Sequence, residues 1–486
     1  MALGEVDYGL MGVVGGLTAF IEFFNGILAT AVGRFYAYSV GVAQKQGNEV
    51  QGLEECRRWF SVALSLHFVL AVILMVVGYP LGDWAIRHWL TIPSDRIGDC
   101  LWVFRFVCVG CFLGMASVPF NAMYYAKQFI AELTIYTFCT TTLNAFFLYY
   151  MVTHPGAWLV RLSLWTCTLS LIPSLIIAGR AALCFEECRI RRAHIFNLAD
   201  LRELVSFAGW NFFGNAGNLL KSSGMAVLVN KTFGPAQNAA VAIANTVSGH
   251  ALTLSWSMIQ AFQPAITNAC GAGDREKMIA LVHRACKFGG VMILPFALPL
   301  ALEIDEVMTL WLKTPPAQAG TLCVWLMVAA VLDNMTSGHW IVVAATGRIS
   351  LYQFTVGMCS MSSLPIAWWL MKLGLGLYSV GYAICIVFII IVFIRLVAVY
   401  KLVELSPWYW ICRILFPILC IVAVSMLVGC LPRLLVSASF FRVCLTTFVL
   451  EIVFIPMTLF VVLDVDERAY LKKKFGNVCS ALGKKF

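Results

Sequence analysis

Charged side chains inside long apolar runs are the residues of this sequence with the clearest potential for chemistry. Lys221 lies about seventeen residues into an apolar run over residues 204–229. A charge at the centre of a bilayer costs about 2.5–3.5 kcal/mol on insertion scales, so it usually faces a cavity or a partner. Lysine pairs strongly with phosphate oxygens. Lys221 is therefore a candidate for binding an anion in a cavity, and a structural ion pair is the alternative.

Amide side chains accompany this lysine on the same run. Asn211, Asn215 and Asn218 recur at spacings of four and three residues, and with Gly214 they share one helical face with Lys221. A polar stripe in a membrane must face protein or water. We therefore predict that this face lines a cavity, with the three asparagines as further substrate-contacting candidates.

Two arginines are also candidates for the cavity. Arg105 lies about one turn from the outer end of the run over residues 100–124. It either contributes to an anion site or extends its side chain to the membrane interface. Arg34 lies at the cytoplasmic end of the run over residues 9–33. It either receives a phosphate from the inner leaflet or serves only as a topology charge.

Three acidic residues lie near the centres of apolar runs. Glu22 and Asp333 are candidates for carrying a coupling proton, or for pairing with Lys221 or Arg105. Glu451 is interpreted as a structural partner, because it lies outside the internal repeat described below.

Sequence motifs for catalysis or nucleotide binding are not found. The nearest approach to a phosphate loop, at residues 217–222, lacks the glycine that must precede the lysine. No catalytic serine, histidine or cysteine set and no metal-ligand spacing stands out. We therefore expect no enzyme, no cofactor and no metal site.

The amino-acid composition indicates whether these residues lie in water or in a membrane. Of 486 residues, 61% are hydrophobic and 12% are charged, and the mean hydropathy is +0.85. Soluble domains contain roughly 45–50% apolar and about 25% charged residues. A soluble enzyme, a disordered protein and a secreted domain are excluded. We predict an all-α polytopic membrane protein.

Thirteen apolar runs have the length of a membrane-spanning helix. They lie at residues 9–33, 60–80, 100–124, 129–153, 158–180, 204–229, 236–262, 288–310, 318–345, 350–373, 376–400, 409–431 and 440–463. Of the 34 lysines and arginines, 23 fall on one set of alternate connections, including Arg395 and the basic tail, and 8 fall on the opposite set. The richer side is cytoplasmic. We therefore expect the C-terminus in the cytoplasm.

An internal repeat relates the two halves of the chain. Gly41 matches Gly271 at an offset of 230 residues, and Trp89 matches Trp311 at an offset of 222. The repeats are predicted to be parallel. The predicted organisation is an N-terminal lobe (1–185), a cytoplasmic linker (186–203), a C-terminal lobe (204–405), two extra spans (406–465) and a basic tail (466–486).

The first repeat begins at Leu3, without the helix that precedes the second repeat. Restoring it would give six helices, six helices and two more. We therefore expect an upstream reading frame that encodes one further apolar span. For the charged linker, an amphipathic helix at the cytoplasmic interface and a solvated loop are both open.

Short motifs in both halves resemble a known family. They are Leu3-Gly-Glu-Val-Asp-Tyr-Gly9, Ala31-Val-Gly-Arg-Phe35, Phe207-Ala-Gly-Trp210, Val229-Asn-Lys-Thr-Phe-Gly234, Phe262-Gln-Pro264 and Gly271-Ala-Gly-Asp274. The chain resembles bacterial polysaccharide flippases, which translocate O-antigen or lipid-linked oligosaccharide. They belong to the superfamily that includes the multidrug and toxic-compound extrusion transporters.

The resemblance implies two six-helix lobes around a central cavity that opens alternately to the two sides. The implied substrate is a polyprenyl-pyrophosphate-linked oligosaccharide, moved to the outer leaflet of a bacterial inner membrane for surface polysaccharide and lipopolysaccharide synthesis. Expected partners are membrane lipids and possible polymerase and assembly proteins, with no nucleic acid. Two alternatives remain open: a proton- or sodium-coupled exporter of organic cations, and a non-transporting component of a polysaccharide assembly complex.

Overall fold

A computed structural model describes residues 4–47, 49–90, 92–154, 156, 158–191, 194–195, 197–465 and 467–469. Its side chains are described from residue 23 onward, apart from residues 24, 49, 235 and 236 within helices. Glu22, an ion-coupling candidate, therefore lies outside the described side chains. The described part of the chain is helical and contains no strand, which confirms the predicted all-α polytopic class.

The described helices form two compact units. Unit 1 comprises Met1–Phe212 and Pro264–Arg275, and unit 2 comprises Phe213–Gln263 and Glu276–Phe486. The boundaries lie inside two long helices, α7 (Leu198–Phe233) and α8 (Pro235–Ala272), each of which has residues in both units. The predicted linker over residues 186–203 therefore ends in a helix, because α7 begins at Leu198.

Unit 1 contains the first six helices. These are α1 (Gly4–Gln46), α2 (Glu49–Ile73), α3 (Tyr79–His88), α4 (Ile97–Ala126), α5 (Ile130–Thr153) and α6 (Trp158–Cys184). A π-helical segment, Leu74–Gly78, joins α2 to α3. Helix α4 packs on α1, α2 and α6, and its buried face carries Phe104, Met115 and Met123.

Unit 2 contains ten further helices after α8. These are α9 (Arg275–Val291), α10 (Leu294–Leu312), α11 (Ala319–Asn334), α12 (Ser337–Thr346), α13 (Ser350–Lys372), α14 (Tyr378–Val403), α15 (Pro407–Trp410), α16 (Phe416–Gly429), α17 (Leu431–Leu435) and α18 (Phe440–Met457). Further π-helical segments are Ile411–Leu415 and Thr458–Val462. The core lies between α10, α11 and α14, around Ile293, Leu322 and Val380.

Each of the thirteen predicted runs lies on a helical stretch of the structure. Among the described residues, eight stretches are long and apolar enough to cross a membrane, or nine if a bent pair forms one span. That pair is α11 and α12, which meet at an angle of 44°. The number of spans in the membrane stays a prediction.

The charged linker packs on the N-terminal part of α2. Arg57 Nε donates to the carbonyl oxygen of Glu186 at 2.9 Å, and Arg58 Nε donates to Asp200 Oδ2 at 2.8 Å. The Arg58 guanidinium holds the pKa of the Asp200 carboxyl below its usual range. The described part of the linker before α7 includes a 3₁₀ turn at Glu186–Cys188, and its contacts with α2 make it a fastened connection.

The glycines matched by the repeat pack reciprocally inside unit 1. A Cβ atom added at Gly41 would lie 2.0 Å from the carbonyl oxygen of Asn268, and one added at Gly271 would lie 2.3 Å from that of Tyr38. Asn268 and Tyr38 are themselves 230 residues apart. Such exchange of equivalent contacts is what a two-fold axis between two copies of one motif produces. The contact therefore supports the predicted repeat.

Gly41→Ala is expected to lower the thermal unfolding midpoint of the purified protein. The added methyl group would overlap the α8 backbone, and such overpacking costs about 1–3 kcal/mol. Gly33→Ala, on the same helix, is the matched control because an added Cβ has no atom within 4 Å. That variant should unfold at the wild-type temperature or above it, because alanine favours helix over glycine by about 1 kcal/mol. Equal midpoints for the two variants would contradict the close crossing.

Candidate functional site

Arg395, which is buried, forms an ion pair in unit 2 with Asp333, which is partly exposed. The two nearest side-chain atoms, Arg395 Nη1 and Asp333 Oδ1, are 2.7 Å apart. Arg395 Nη1 also donates to Thr336 Oγ1 at 2.6 Å, and Nε donates to the Tyr352 hydroxyl at 3.2 Å. Only 8% of Arg395 is exposed. We call Asp333, Thr336, Tyr352 and Arg395 the polar cluster.

The break between α11 and α12 explains why an arginine is buried here. A helix end leaves carbonyl groups without helical partners, and a cation is favourable at a helix C-terminus. Arg395 Nη1 donates to the carbonyl oxygen of Asp333 at 2.9 Å, and Trp410 Nε1 donates to that of Met335 at 2.8 Å. The bent backbone is therefore satisfied by side chains from α14 and α15, as a membrane interior requires.

The assignment of Arg395 to a cytoplasmic connection is wrong. Arg395 lies inside α14 and is held by Asp333. The available signal was its position inside the apolar run over residues 376–400, where it should have been treated like Lys221. The carboxylate of Asp333, an ion-coupling candidate, is already occupied by this guanidinium.

Lys221 lies over the same helix that carries Arg395. Its Nζ is 4.6 Å from the centre of the Phe388 ring on α14, and donates to Asn218 Oδ1 at 3.3 Å. Among the described residues no carboxylate lies within 4 Å of Lys221 Nζ, although Asp333 is close enough to attract it. Lys221 and Arg395 thus share one nearby carboxylate, which leaves one positive charge in excess.

The face of α7 that was predicted to line a cavity is partly packed against another helix and partly exposed. A Cβ at Gly214 would lie 2.0 Å from the side chain of Gln353, and one at Gly217 would lie 2.7 Å from the backbone of Gly357. This side packs on α13, so the prediction that Gly214 lines a cavity is wrong. Asn215 and Asn218 are exposed. Asn211 is buried in unit 1, and its Nδ2 donates to the carbonyl oxygen of Phe207 at 3.1 Å.

Arg34 lies in a cavity of unit 1 with a volume of about 390 Å³. Its guanidinium carbon lies 4.8 Å from the ring centre of Phe35, 5.3 Å from that of Tyr38 and 5.0 Å from that of Phe207. The cavity lining combines a cation with aromatic, amide and carboxylate groups. It comprises Arg34, Phe35, Tyr38, Ser39, Val42, Ala43, Gln46, Gln51, Gly52, Glu55, Trp59 and Glu203.

Arg105 belongs to a different part of unit 1. Its Nε donates to the Tyr79 hydroxyl at 3.2 Å, and its guanidinium carbon lies 4.8 Å from the Trp102 ring centre. Tyr79 begins α3, whereas the Arg34 cavity includes residues of the first part of α2. The structure therefore does not bring the two arginines into one site.

Two further ion pairs of unit 2 involve buried charged residues. Glu303, 1% exposed at a kink of α10, accepts from Arg442 Nη2 at 2.8 Å and from Thr446 Oγ1 at 2.9 Å. Lys287 Nζ lies 2.6 Å from Glu467 Oε2. The first pair joins α18 to α10, and the second joins the segment after α18 to α9. The sequence analysis missed Glu303, although it lies inside the run over residues 288–310.

Comparison with known proteins places this geometry in a known fold. No protein-family profile and no curated protein matches the chain. Similar solved structures include a mutant MATE protein (14% identity, TM-score 0.69) and an outward-facing multidrug resistance MATE family transporter of the MOP superfamily (14%, 0.67). Each match covers 83% of this chain and 89% of the other.

A third similar structure is a MOP superfamily transporter from Pyrococcus furiosus, described as having a binding pocket of reverse polarity that suggests a different function. It is 16% identical, has a TM-score of 0.59, and the match covers 82% of this chain and 92% of that one. At this level of identity the likeness concerns the fold. The chain has the fold of the MATE transporters.

Proposed function

We propose that this protein is a membrane transporter that moves a polyprenyl-pyrophosphate-linked oligosaccharide from the inner to the outer leaflet of a bacterial inner membrane. The observation that carries the proposal is the excess positive charge beside Asp333 in unit 2, where Lys221 and Arg395 face one carboxylate. Lys221 has no carboxylate within 4 Å among the described residues, because Asp333 is paired with Arg395. A pyrophosphate is an anion of the kind that such a lysine binds.

The Arg34 cavity supports the same substrate class. Aromatic rings offer flat apolar faces with polar edges, and glutamine side chains offer both donors and acceptors. Tyr38, Trp59, Gln46 and Gln51 provide these groups around the Arg34 guanidinium. Because Glu55 and Glu203 line the same cavity, its charges are mixed, and its amide and aromatic groups suit the sugar hydroxyls of the substrate more than its pyrophosphate.

Export of organic cations by a proton- or sodium-coupled mechanism is the second candidate function. It is favoured by the multidrug resistance transporter among the similar structures. An unpaired lysine would repel a cationic drug. The similar transporter described with reverse pocket polarity supports the view that this fold accommodates pockets of either sign.

Complementation in two bacterial strains tests the proposal. The full chain should restore surface glycan to a strain that lacks its own oligosaccharide flippase. It should leave the drug susceptibility of an exporter-deficient strain unchanged. A chain that accumulates in the membrane, restores no glycan with any of a panel of oligosaccharide substrates, and raises resistance to cationic drugs would overturn it.

A further inference from the structure

The carboxylate of Asp333 acts on two cations that lie along α14. Lys221 Nζ is 4.6 Å from the centre of the Phe388 ring on this helix. Arg395 follows Phe388 by seven residues, which is two helical turns and about 10 Å along the same face. Asp333 Oδ1 is 2.7 Å from Arg395 Nη1, and the same carboxylate attracts Lys221.

The hydrogen bonds that fix Arg395 do not involve this carboxylate. Nη1 donates to the Thr336 hydroxyl at 2.6 Å and to the carbonyl oxygen of Asp333 at 2.9 Å, so both of its hydrogens are used. Nε donates to the Tyr352 hydroxyl at 3.2 Å. Within the described part of the chain, Asp333 Oδ1 accepts no hydrogen bond. The carboxylate is therefore held by charge, whereas backbone and hydroxyl oxygens hold the guanidinium in place.

The charges near Lys221 change sign when a pyrophosphate diester, which carries two negative charges, is added. With Asp333 in place, three negative charges would face the two positive charges of Lys221 and Arg395. Without it, the charges would balance. At a separation of about 10 Å and an effective dielectric constant of about 20, repulsion between two unit charges weakens binding at least about tenfold. The Asp333 carboxylate therefore opposes the binding of an anion beside Lys221.

We infer, on the basis of the proposed function, that Asp333 is an internal competitor of the anionic substrate, whose carboxylate weakens binding of the pyrophosphate at Lys221 and so permits its release. A selective pathway must bind its ligand strongly enough for entry and weakly enough for exit. This role differs from that of an ion-coupling residue, because the carboxylate acts while it is charged and requires neither a proton nor sodium.

Anion binding by the purified full chain tests this inference. The probe is methylenediphosphonate, a pyrophosphate analogue that resists hydrolysis, and the protein is in phosphatidylcholine nanodiscs at constant pH and ionic strength. Asp333→Asn should lower the dissociation constant at least about tenfold, because it removes the competing charge and keeps the shape. Asp305→Asn, at an exposed residue of unit 2, is the matched control and should bind like the wild type. An unchanged or weaker affinity in folded Asp333→Asn would overturn the inference.

The variant Lys221→Ala separates a failure of this inference from a failure of the proposed function. If Lys221→Ala weakens binding while Asp333→Asn leaves it unchanged, the anion site stands and the competition is wrong. If Lys221→Ala binds like the wild type, the proposed function loses its anion site and the competitor is wrong as well. If the inference is right, the double variant should lose the affinity that Asp333→Asn gains.

Asn218→Asp provides a second measurement that leaves Asp333 and Arg395 unchanged and does not depend on the stability of an altered polar cluster. Asn218 Oδ1 lies 3.3 Å from Lys221 Nζ, so a carboxylate there should weaken methylenediphosphonate binding at least about tenfold. Asn230→Asp is the matched control, since Asn230 is exposed on the same helix and lies beyond the screening length of about 10 Å. Equal effects of the two aspartates would show that a carboxylate beside Lys221 does not compete, and would overturn the inference.

Discussion

Lys221→Ala is expected to abolish glycan export while the protein still accumulates and folds. In the complementation assay, surface glycan should fall at least about a hundredfold, because a lost charge-assisted contact to phosphate of about 3 kcal/mol corresponds to that factor. The folded protein should persist because Lys221 donates only to Asn218 and lies over the Phe388 ring. Removing it leaves no buried carboxylate without its cation.

Two variants make this experiment specific for the position of the charge. Lys231→Ala removes an exposed lysine from the last turn of the same helix, and it should export glycan at the wild-type level. Lys221→Arg keeps the charge and should retain part of the activity. If Lys221→Ala exported normally, or if it failed to accumulate, an anion-binding role for Lys221 would be wrong.

Arg395→Ala is expected to destabilise unit 2. The Asp333 carboxylate that would remain is partly exposed and still attracts Lys221, so the loss costs less than the about 3–5 kcal/mol of a fully buried ion pair. The variant would also release the carbonyl oxygen of Asp333 at the break between α11 and α12. We expect most of the protein to be lost from the membrane and a large fall in the unfolding midpoint of what remains.

A double-mutant cycle tests the pairing itself. Asp333→Asn should also destabilise the protein, and the double variant should be less affected than the sum of the two, with a coupling of about 1–3 kcal/mol. Arg413→Ala is the matched control because Arg413 is an exposed arginine within another predicted span. A stable Asp333→Asn variant that still folded but lost ion-coupled transport would instead support the ion-coupling role.

The sequence predicted the helices well because length and polarity alone decide them. A run of about twenty apolar residues has no stable state in a membrane other than a helix. Each predicted run accordingly lies on helix, and the depth of Lys221 within its run could be counted directly. The internal repeat had also matched Gly41 with Gly271, and these two glycines make reciprocal contacts in the structure.

The partners of the charges could not be predicted in the same way. Asp333 and Arg395 are separated by 62 residues, and their pairing depends on a break in α11 that no proline or glycine marks at residues 335–336. From the sequence, Asp333 and Glu22 were candidate partners for an ion pair with Lys221. Asp333 pairs with Arg395 instead, and only the three-dimensional arrangement shows that the two residues are close. The packing of Gly214 on Gln353 could not be predicted from the sequence for the same reason.

Translocation by the purified protein in proteoliposomes tests the proposed function most directly. A polyprenyl-pyrophosphate-linked oligosaccharide is placed in one leaflet, and its appearance in the other is followed with a membrane-impermeant glycan-binding protein. We expect wild-type protein and Lys231→Ala to move it, Lys221→Ala to move it no faster than empty liposomes, and a neutral glycolipid with the same glycan to stay in place. Transport of the neutral glycolipid at the same rate, or wild-type rates for Lys221→Ala, would contradict the selection of an anionic substrate by the excess positive charge of unit 2.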